Sequence, residues 1–350
     1  MNSFRNIALA VFLSTAGVCV AAPPNLAGYK ADTNVNDHAN IDLDQKAMET
    51  YLSDGTSSSF FTAGRNVYDN GGNSKSYSTI TLTSGLQTSI NKGDEIEGVN
   101  SNGDTIKGLA YAAASQGSQS IQVQYVVDGE QPACSVGGLQ SQDRNLSGCL
   151  ASSGTGNLII KGIAYGYSYV QTSGTQNGRS ISGFSSQAEA KMSNYKDFNQ
   201  FRDYYGRGDY ANHWIYSALD GTSTSFTNGN ANFGIYDNIG RVEAAKKGSN
   251  YMSVWMYVIR EFEDAIDDCH VECEPNCNDD AVTAWDEGVA FYTGSQEGTD
   301  GSGSGALLYA LADKRCQNFK TCGSNGDSVD GTAKVNLEIY AQLAAGQMNL

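Results

Sequence analysis

The hydrophobic period changes along this chain, and that change bounds what it can fold into. Over residues 78–185, short β-branched or aromatic runs (TITL, DEIEGV, DTIKGLAY, SIQVQYVV, NLIIKGIAYGYSYV, RSISGF) alternate with Gly, Asn, Asp and Ser. Such runs between turn formers predict short antiparallel strands. Asn102-Gly103 and Asn177-Gly178 stand between runs as hairpin turns, because both residue types tolerate positive φ. Forty glycines against 4 prolines supply the tight turns this requires.

From about residue 195 the period becomes helical. Over 251–268, Tyr251, Val254, Trp255, Val258, Phe262, Ala265 and Ile266 form one stripe, and Arg260 and Asp264 make an i,i+4 pair on the other side. Residues 281–292 place Val282, Trp285, Val289 and Tyr292 on one face, behind Asp279 or Asp280 as N-cap. Two more amphipathic helices are expected over 306–318 and 333–345. Residues 44–69 also read as helical, with a break at Gly71–Ser74. The fold class is α+β: a helical N-terminal stretch, a β-rich middle with antiparallel strands and a helical C-terminal half, stabilised by disulfides. The expected divisions are a signal peptide over 1–21, a flexible segment over 22–43, an α+β lobe over 44–195 and a mainly helical lobe over 196–350. Phe61-x2-Gly64-x3-Tyr68 is echoed by Trp285-x2-Gly288-x3-Tyr292, each followed by Gly/Ser-rich residues. The echo fits either a duplication or a chance likeness of two helix-to-loop junctions.

Residues 1–22 carry Arg5, an apolar run Ile7–Leu13 and the small-x-small pattern Cys19-Val20-Ala21. This reads as a secretory leader cut after Ala21, which implies a secreted or periplasmic protein or one at the cell surface. No later apolar run reaches the length of a membrane span, and the C-terminus has no lipid-anchor tail. Seven cysteines follow the leader: Cys134, Cys149, Cys269, Cys273, Cys277, Cys316 and Cys322. Export favours their oxidation. Cys134–Cys149 and Cys316–Cys322 are the economical local pairs, which leaves one of the remaining three odd. Asn145-Leu146-Ser147 is a glycosylation sequon.

The formal charge is 22 − 38 = −16, which disfavours a nucleic-acid partner and favours cations. With His38, His213 and His270 as the only histidines, and no nucleophile elbow, HExxH or phosphate loop, nothing points to an enzyme. His38 falls in the segment expected to be loose. Cys269-His270-x2-Cys273-x3-Cys277 has metal-like spacing, but an oxidising compartment consumes such thiols in disulfides. The acids from Glu261 to Asp280 read as a solvated loop or as a cation-capturing tract, without EF-hand spacing. The segment Asp203 to Trp214 concentrates carboxylates, phenols and an imidazole. A hard ferric ion wants anionic oxygen donors, and a bound ion of high charge can deprotonate a phenol. Asp209, Tyr210 and His213, with Asp286 and Tyr292, are therefore candidate ligands. Arg207 and Arg260 are candidate anion anchors. Ordinary helix packing around Tyr210 and Trp214 accounts for the same segment without a metal.

The strings GGNSKSYSTITL (71–82), FTNGNANF (226–233), EAAKKGSNYMSVWMYVIREFEDAIDDC (243–269), WDEGVAFYTGS (285–295) and LLYALADKRCQNF (307–319) resemble the low-iron-inducible periplasmic proteins of algae, the iron-assimilation group that includes the phytotransferrins. The resemblance spans roughly residues 45–345. It implies ferric iron held with carbonate at the cell surface, passed on to a transporter or reductase. Forms with a C-terminal membrane anchor are not matched, so the chain looks like a soluble branch. The competing expectation is a cell-envelope structural or glycan-binding module that presents Tyr111, Tyr125, Tyr165, Tyr167 and Tyr169.

Overall fold

The computed structural model describes residues 24–54, 58–100, 102–125, 127–128, 131–132, 150–151, 156–168, 176–269 and 281–350. The leader, Cys134, Asn145, Cys149, Tyr169, Cys273, Cys277 and the expected caps Asp279 and Asp280 lie outside these residues. The fold is α+β, as the change of period requires.

The described chain opens with a two-stranded hairpin, β1 (Asn25–Leu26) and β2 (Tyr29–Lys30), and a single turn of helix, α1 (Asn36–Ala39). This region, expected to be flexible, is instead packed. Leu26, Tyr29, Ala31, Val35 and Ala39 are buried against Val289, Ala290 and Leu343. Its apolar residues follow neither a period of 2 nor one of 3.6, because the arm crosses other elements rather than forming a long one. Two helices follow, α2 (Ile41–Asp54) and α3 (Ser58–Asn70).

An antiparallel sheet then forms from β3 (Lys75–Leu82), β4 (Glu95–Val99), β5 (Thr105–Ala110) and β6 (Ser120–Tyr125), continued after the small hairpin β7 (Val127–Asp128) and β8 (Gln131–Pro132) by β9 (Leu158–Ile160), β10 (Ile163–Tyr165), β11 (Tyr167–Ser168) and β12 (Gln176–Gly178). The order is β10-β9-β4-β5-β6-β3-β11, and β12 also pairs with β3. Alternate residues Ile80 and Leu82, Ile121 and Val123, and Leu158 and Ile160 point into one core. Asn102-Gly103 does turn a hairpin: Val99 pairs with Thr105, Gly103 sits at φ +87°, and the Asn100 side chain accepts from the Asn102 and Asp104 amides at 2.9 Å each. Asn177-Gly178 does not; it lies inside β12, where a register irregularity absorbs the glycine. Tyr165 and Tyr167 are core residues, bonded to the Gln87 amide at 2.9 Å and the Ala151 carbonyl at 2.9 Å, so neither is a surface platform.

The second half is helical: α4 (Ile181–Ser186), α5 (Ala188–Met192), α6 (Lys196–Tyr205), α7 (Tyr210–Asp220), α8 (Asn238–Gly248), a π-helical stretch Ser249–Val254 running into α9 (Trp255–Asp268), then α10 (Ala281–Thr293), α11 (Leu308–Phe319) and α12 (Lys334–Gln347). Val254, Val258 and Ala265 are buried as expected, but Tyr251, Trp255 and Ile266 are exposed. The wider π turn shifts the helix phase. Tyr257, Glu261 and Asp264 face inward instead. Cys316 and Cys322 form a disulfide with Cα atoms 4.9 Å apart. Cys269 is exposed and makes no disulfide among the described residues.

The sequence echo has a counterpart in the packing. Gly64 of α3 lets α2 approach: a Cβ there would meet Leu52 at 2.7 Å. Gly288 of α10 admits α9 in the same way, with Phe262 at 2.6 Å. One turn further on, the Tyr68 hydroxyl donates to Asn212 Oδ1 at 2.6 Å and the Tyr292 hydroxyl to Asn336 Oδ1 at 2.6 Å. Each asparagine is the third residue of its helix, and each amide then donates to a backbone carbonyl, of Ser182 and of Tyr309, at 3.0 Å.

Candidate binding site

The residues singled out in the sequence do not converge. Asp209 stands before α7 as its N-cap and takes a two-pronged bond from Arg207, at 2.6 and 2.8 Å, which holds its carboxyl below the usual range. Tyr210 is buried and stacked on Tyr205, with centroids 4.9 Å apart. The His213 Nε2 accepts from the Ser225 amide at 2.8 Å. On α10, Asp286 is wholly buried and accepts from the Tyr29 hydroxyl at 2.6 Å, the Asp32 amide at 2.9 Å, and the Thr33 amide and hydroxyl at 2.8 Å each. Tyr292 is committed to Asn336. Each of the five has its own structural partner, and no partner is shared between the α7 group and the α10 pair. Arg207 is occupied by Asp209.

Arg260 does sit in a charged cluster. Tyr257, Arg260, Glu261 and Asp264 follow i, i+3, i+4, i+7 spacing on α9, so they share one face. The Arg260 guanidinium bonds Glu261 and reaches Asp264 Oδ2 at 2.9 Å, and the Tyr195 hydroxyl donates to the same aspartate at 3.0 Å. Glu261 is 1% exposed, and burial raises its carboxyl despite Arg260. Its Oε1 and the Arg260 Nε have no hydrogen-bond partner among the described residues. Lys191, from α5, donates to the Tyr257 hydroxyl at 3.1 Å. Burial and the nearby Arg260 pull that ammonium down.

The other wall comes from far along the chain. His38 on α1 bonds Glu287 Oε1 of α10 through Nε2 at 2.9 Å and faces Asp37 from Nδ1 at 3.1 Å. Burial works against protonation of this imidazole, but Asp37 and Glu287 outweigh it even with Arg179 opposing, and its pKa rises to about 9. Burial pushes the Glu287 carboxyl up, and His38 more than reverses that, leaving it lowered. Arg179, between β12 and α4, pairs with Asp37 Oδ2 at 3.0 Å and also touches His38 Nε2. The walls couple: Glu261 feels Glu287 and His38, while Lys191 and Tyr257 feel Arg179 and Glu287. Aromatic rings form the floor. Tyr257 stacks on Phe184 at 4.1 Å, and Phe291 stands edge-on to both Tyr257, at 5.4 Å, and His38, at 5.5 Å.

Carboxylates, a phenol and an imidazole thus meet two part-buried guanidiniums and, at the exposed edge, one ammonium, with the Arg260 Nε and Glu261 Oε1 unpartnered among the described residues. Among the described residues, no group of three or more His, Cys, Asp and Glu is arranged to hold a metal ion. Nor is any helix there long and apolar enough to cross a membrane. A cation placed in this cluster would therefore need oxygen donors outside that set, a phenol or a co-bound anion. Sequence reasoning missed Arg179, Lys191 and Tyr257, placed His38 in a loose segment, and had Glu287 in view only as the neighbour of Asp286. The available signals were the Arg260–Asp264 pair, the start of the acidic tract at Glu261 and the WDEG string that contains Glu287. No family model, no curated protein and no solved structure matches the chain.

Proposed function

We propose that this protein is an exported ferric-iron-binding protein of iron assimilation, not an enzyme, and that iron is held with carbonate at the cluster of α1, α5, α9 and α10. One observation carries the reading. Tyr257 and Glu261, one turn apart on α9, are buried beside Glu287 and His38 and flanked by Arg179, Arg260 and Lys191. Oxygen donors of this kind suit a hard trivalent cation. A carbonate would accept from the unpartnered Arg260 Nε and contribute oxygens that the protein lacks. The excess negative charge of the chain draws cations toward it, and the resemblance to algal iron-assimilation proteins points the same way. Export, with delivery to a surface transporter or reductase, is part of this proposal.

The test is titration of the purified protein with ferric nitrilotriacetate, with and without bicarbonate. The expected result is one iron per chain, bicarbonate dependence and a coloured phenolate-to-iron band. Tyr257→Phe should abolish the band and cut affinity by at least the ~10–100-fold that loss of a supporting partner costs a metal site. Tyr210→Phe should leave the band in place. A wild-type protein that takes up no iron in bicarbonate removes the proposal.

A further inference from the structure

We propose that residues 24–39 are a strap that completes the charged cluster and that Asp286 is the positioning residue that holds it, an inference that rests on the cluster being the binding site. Asp286 and Glu287 are successive residues of α10, so their side chains leave the helix about 100° apart. Asp286 faces the strap at Tyr29, Asp32 and Thr33 through four hydrogen bonds, while Glu287 faces it at His38. Between these points the backbone is tied in series. The Val35 amide donates to the Thr33 carbonyl at 3.1 Å, and the His38 amide to the Val35 carbonyl at 3.1 Å. Val35 has no exposed surface. Position set at Thr33 is therefore passed to the imidazole, which must meet Glu287, the edge of Phe291 and Arg179 at once.

Besides the contacts of Asp37 and His38 within the cluster itself, three further fastenings lie before Thr33. Ala27 donates to the Gly298 carbonyl at 2.9 Å, the Tyr340 hydroxyl to the Leu26 carbonyl at 3.1 Å, and the Gln347 amide to the Lys30 carbonyl at 3.0 Å. They hold the hairpin against the body without reaching toward α1. Of the fastenings outside the cluster described above, Asp286 reaches furthest along the strap toward it, and its carboxylate accepts from charge-neutral donors only, so it acts through placement and not as a ligand.

The experiment compares Asp286→Asn with Tyr292→Phe, a change on the same helix that breaks a buried bond without touching the strap. Two readouts are taken: the His38 ring-proton resonances, assigned with His38→Gln and shifted by the Phe291 ring, and the ferric affinity in bicarbonate. Asp286→Asn is expected to move the His38 signals toward unstructured positions and weaken iron binding about tenfold or more. Tyr292→Phe should change neither while lowering thermal stability. Thr33→Val, which removes one of the four bonds, should shift both readouts in the same direction by less and serves if Asp286→Asn does not fold. Unmoved His38 signals in both strap variants overturn the inference. Should the wild type bind no iron, the functional proposal falls, and the His38 signals still decide this one.

Discussion

Several buried carboxylates of this protein act as fasteners at the level of single residues. Asp286 holds the strap, and Asp42 holds the loop after α10 through the Ser295 hydroxyl and Gln296 amide at 2.8 Å each. Asp44 holds the loop after α3 through the Asn73 amide at 3.0 Å, and Glu297 takes the Gly305 amide at 3.0 Å. Burial, opposed by these bonds, raises Asp42 to about 7; burial and the charge of Asp42 raise Glu297 to about 7. The sign follows from proton binding. The folded state keeps protons that the unfolded state releases between about pH 4 and 7, so these two groups favour the fold most at the acidic end and least above pH 7. Melting temperature should therefore fall from pH 5 to pH 8, and Glu297→Gln should flatten that slope. In the cluster, Arg260→Met should destabilise the protein by about 3 kcal/mol, because it strands Glu261 in the interior; urea denaturation measures this, and Glu261→Gln added to it should recover most of the loss. Little of this was legible in the sequence. Asp286 and Tyr292 looked like ligands because residue type shows chemistry but not the partner. His38 reads as part of a loose segment because residues 23–40 are polar, although the structure packs them.

Elements were more legible than residues. The helices over 308–319 and 334–347, the paired helices before residue 71 and the antiparallel middle all follow from apolar spacing. The buried face of α9 did not, because the π-helical stretch ahead of it shifts the phase and because polar residues that find partners can turn inward. The echo of α2–α3 in α9–α10 extends to matching tyrosine–asparagine bonds, and this yields a paired test. Tyr68→Phe and Tyr292→Phe should each cost about 1–3 kcal/mol in urea denaturation, since each leaves a buried amide oxygen without its donor. Gly288→Ala should cost a similar ~1–3 kcal/mol by forcing α9 away from α10 at Phe262. The two halves differ where the cluster stands: the contact that equates Leu52 with Phe262 puts Ala47 and Tyr51 of α2 where α9 carries Tyr257 and Glu261. One site per chain is the resulting expectation, read in the iron titration as a single equivalent.

For the whole molecule, the division at residue 195 expected from the change of period misplaces the seam. The large helical core draws on Ile41, Met48, Leu52 and Tyr68 as well as on α7 to α11, while the sheet keeps a separate core. The disulfide Cys316–Cys322 clips the connection between α11 and α12, so its loop is short, and Cys316→Ser with Cys322→Ser should cost only about 2 kcal/mol by thermal melting. Arg179 occupies the point where the last strand of the sheet becomes the first helix after it, and its guanidinium ends on the strap at Asp37. Cargo seated beside that guanidinium would lash a β body, a helical body and the strap to one another. An empty molecule heated slowly should then come apart in stages, sheet before helices, and a laden one all at once.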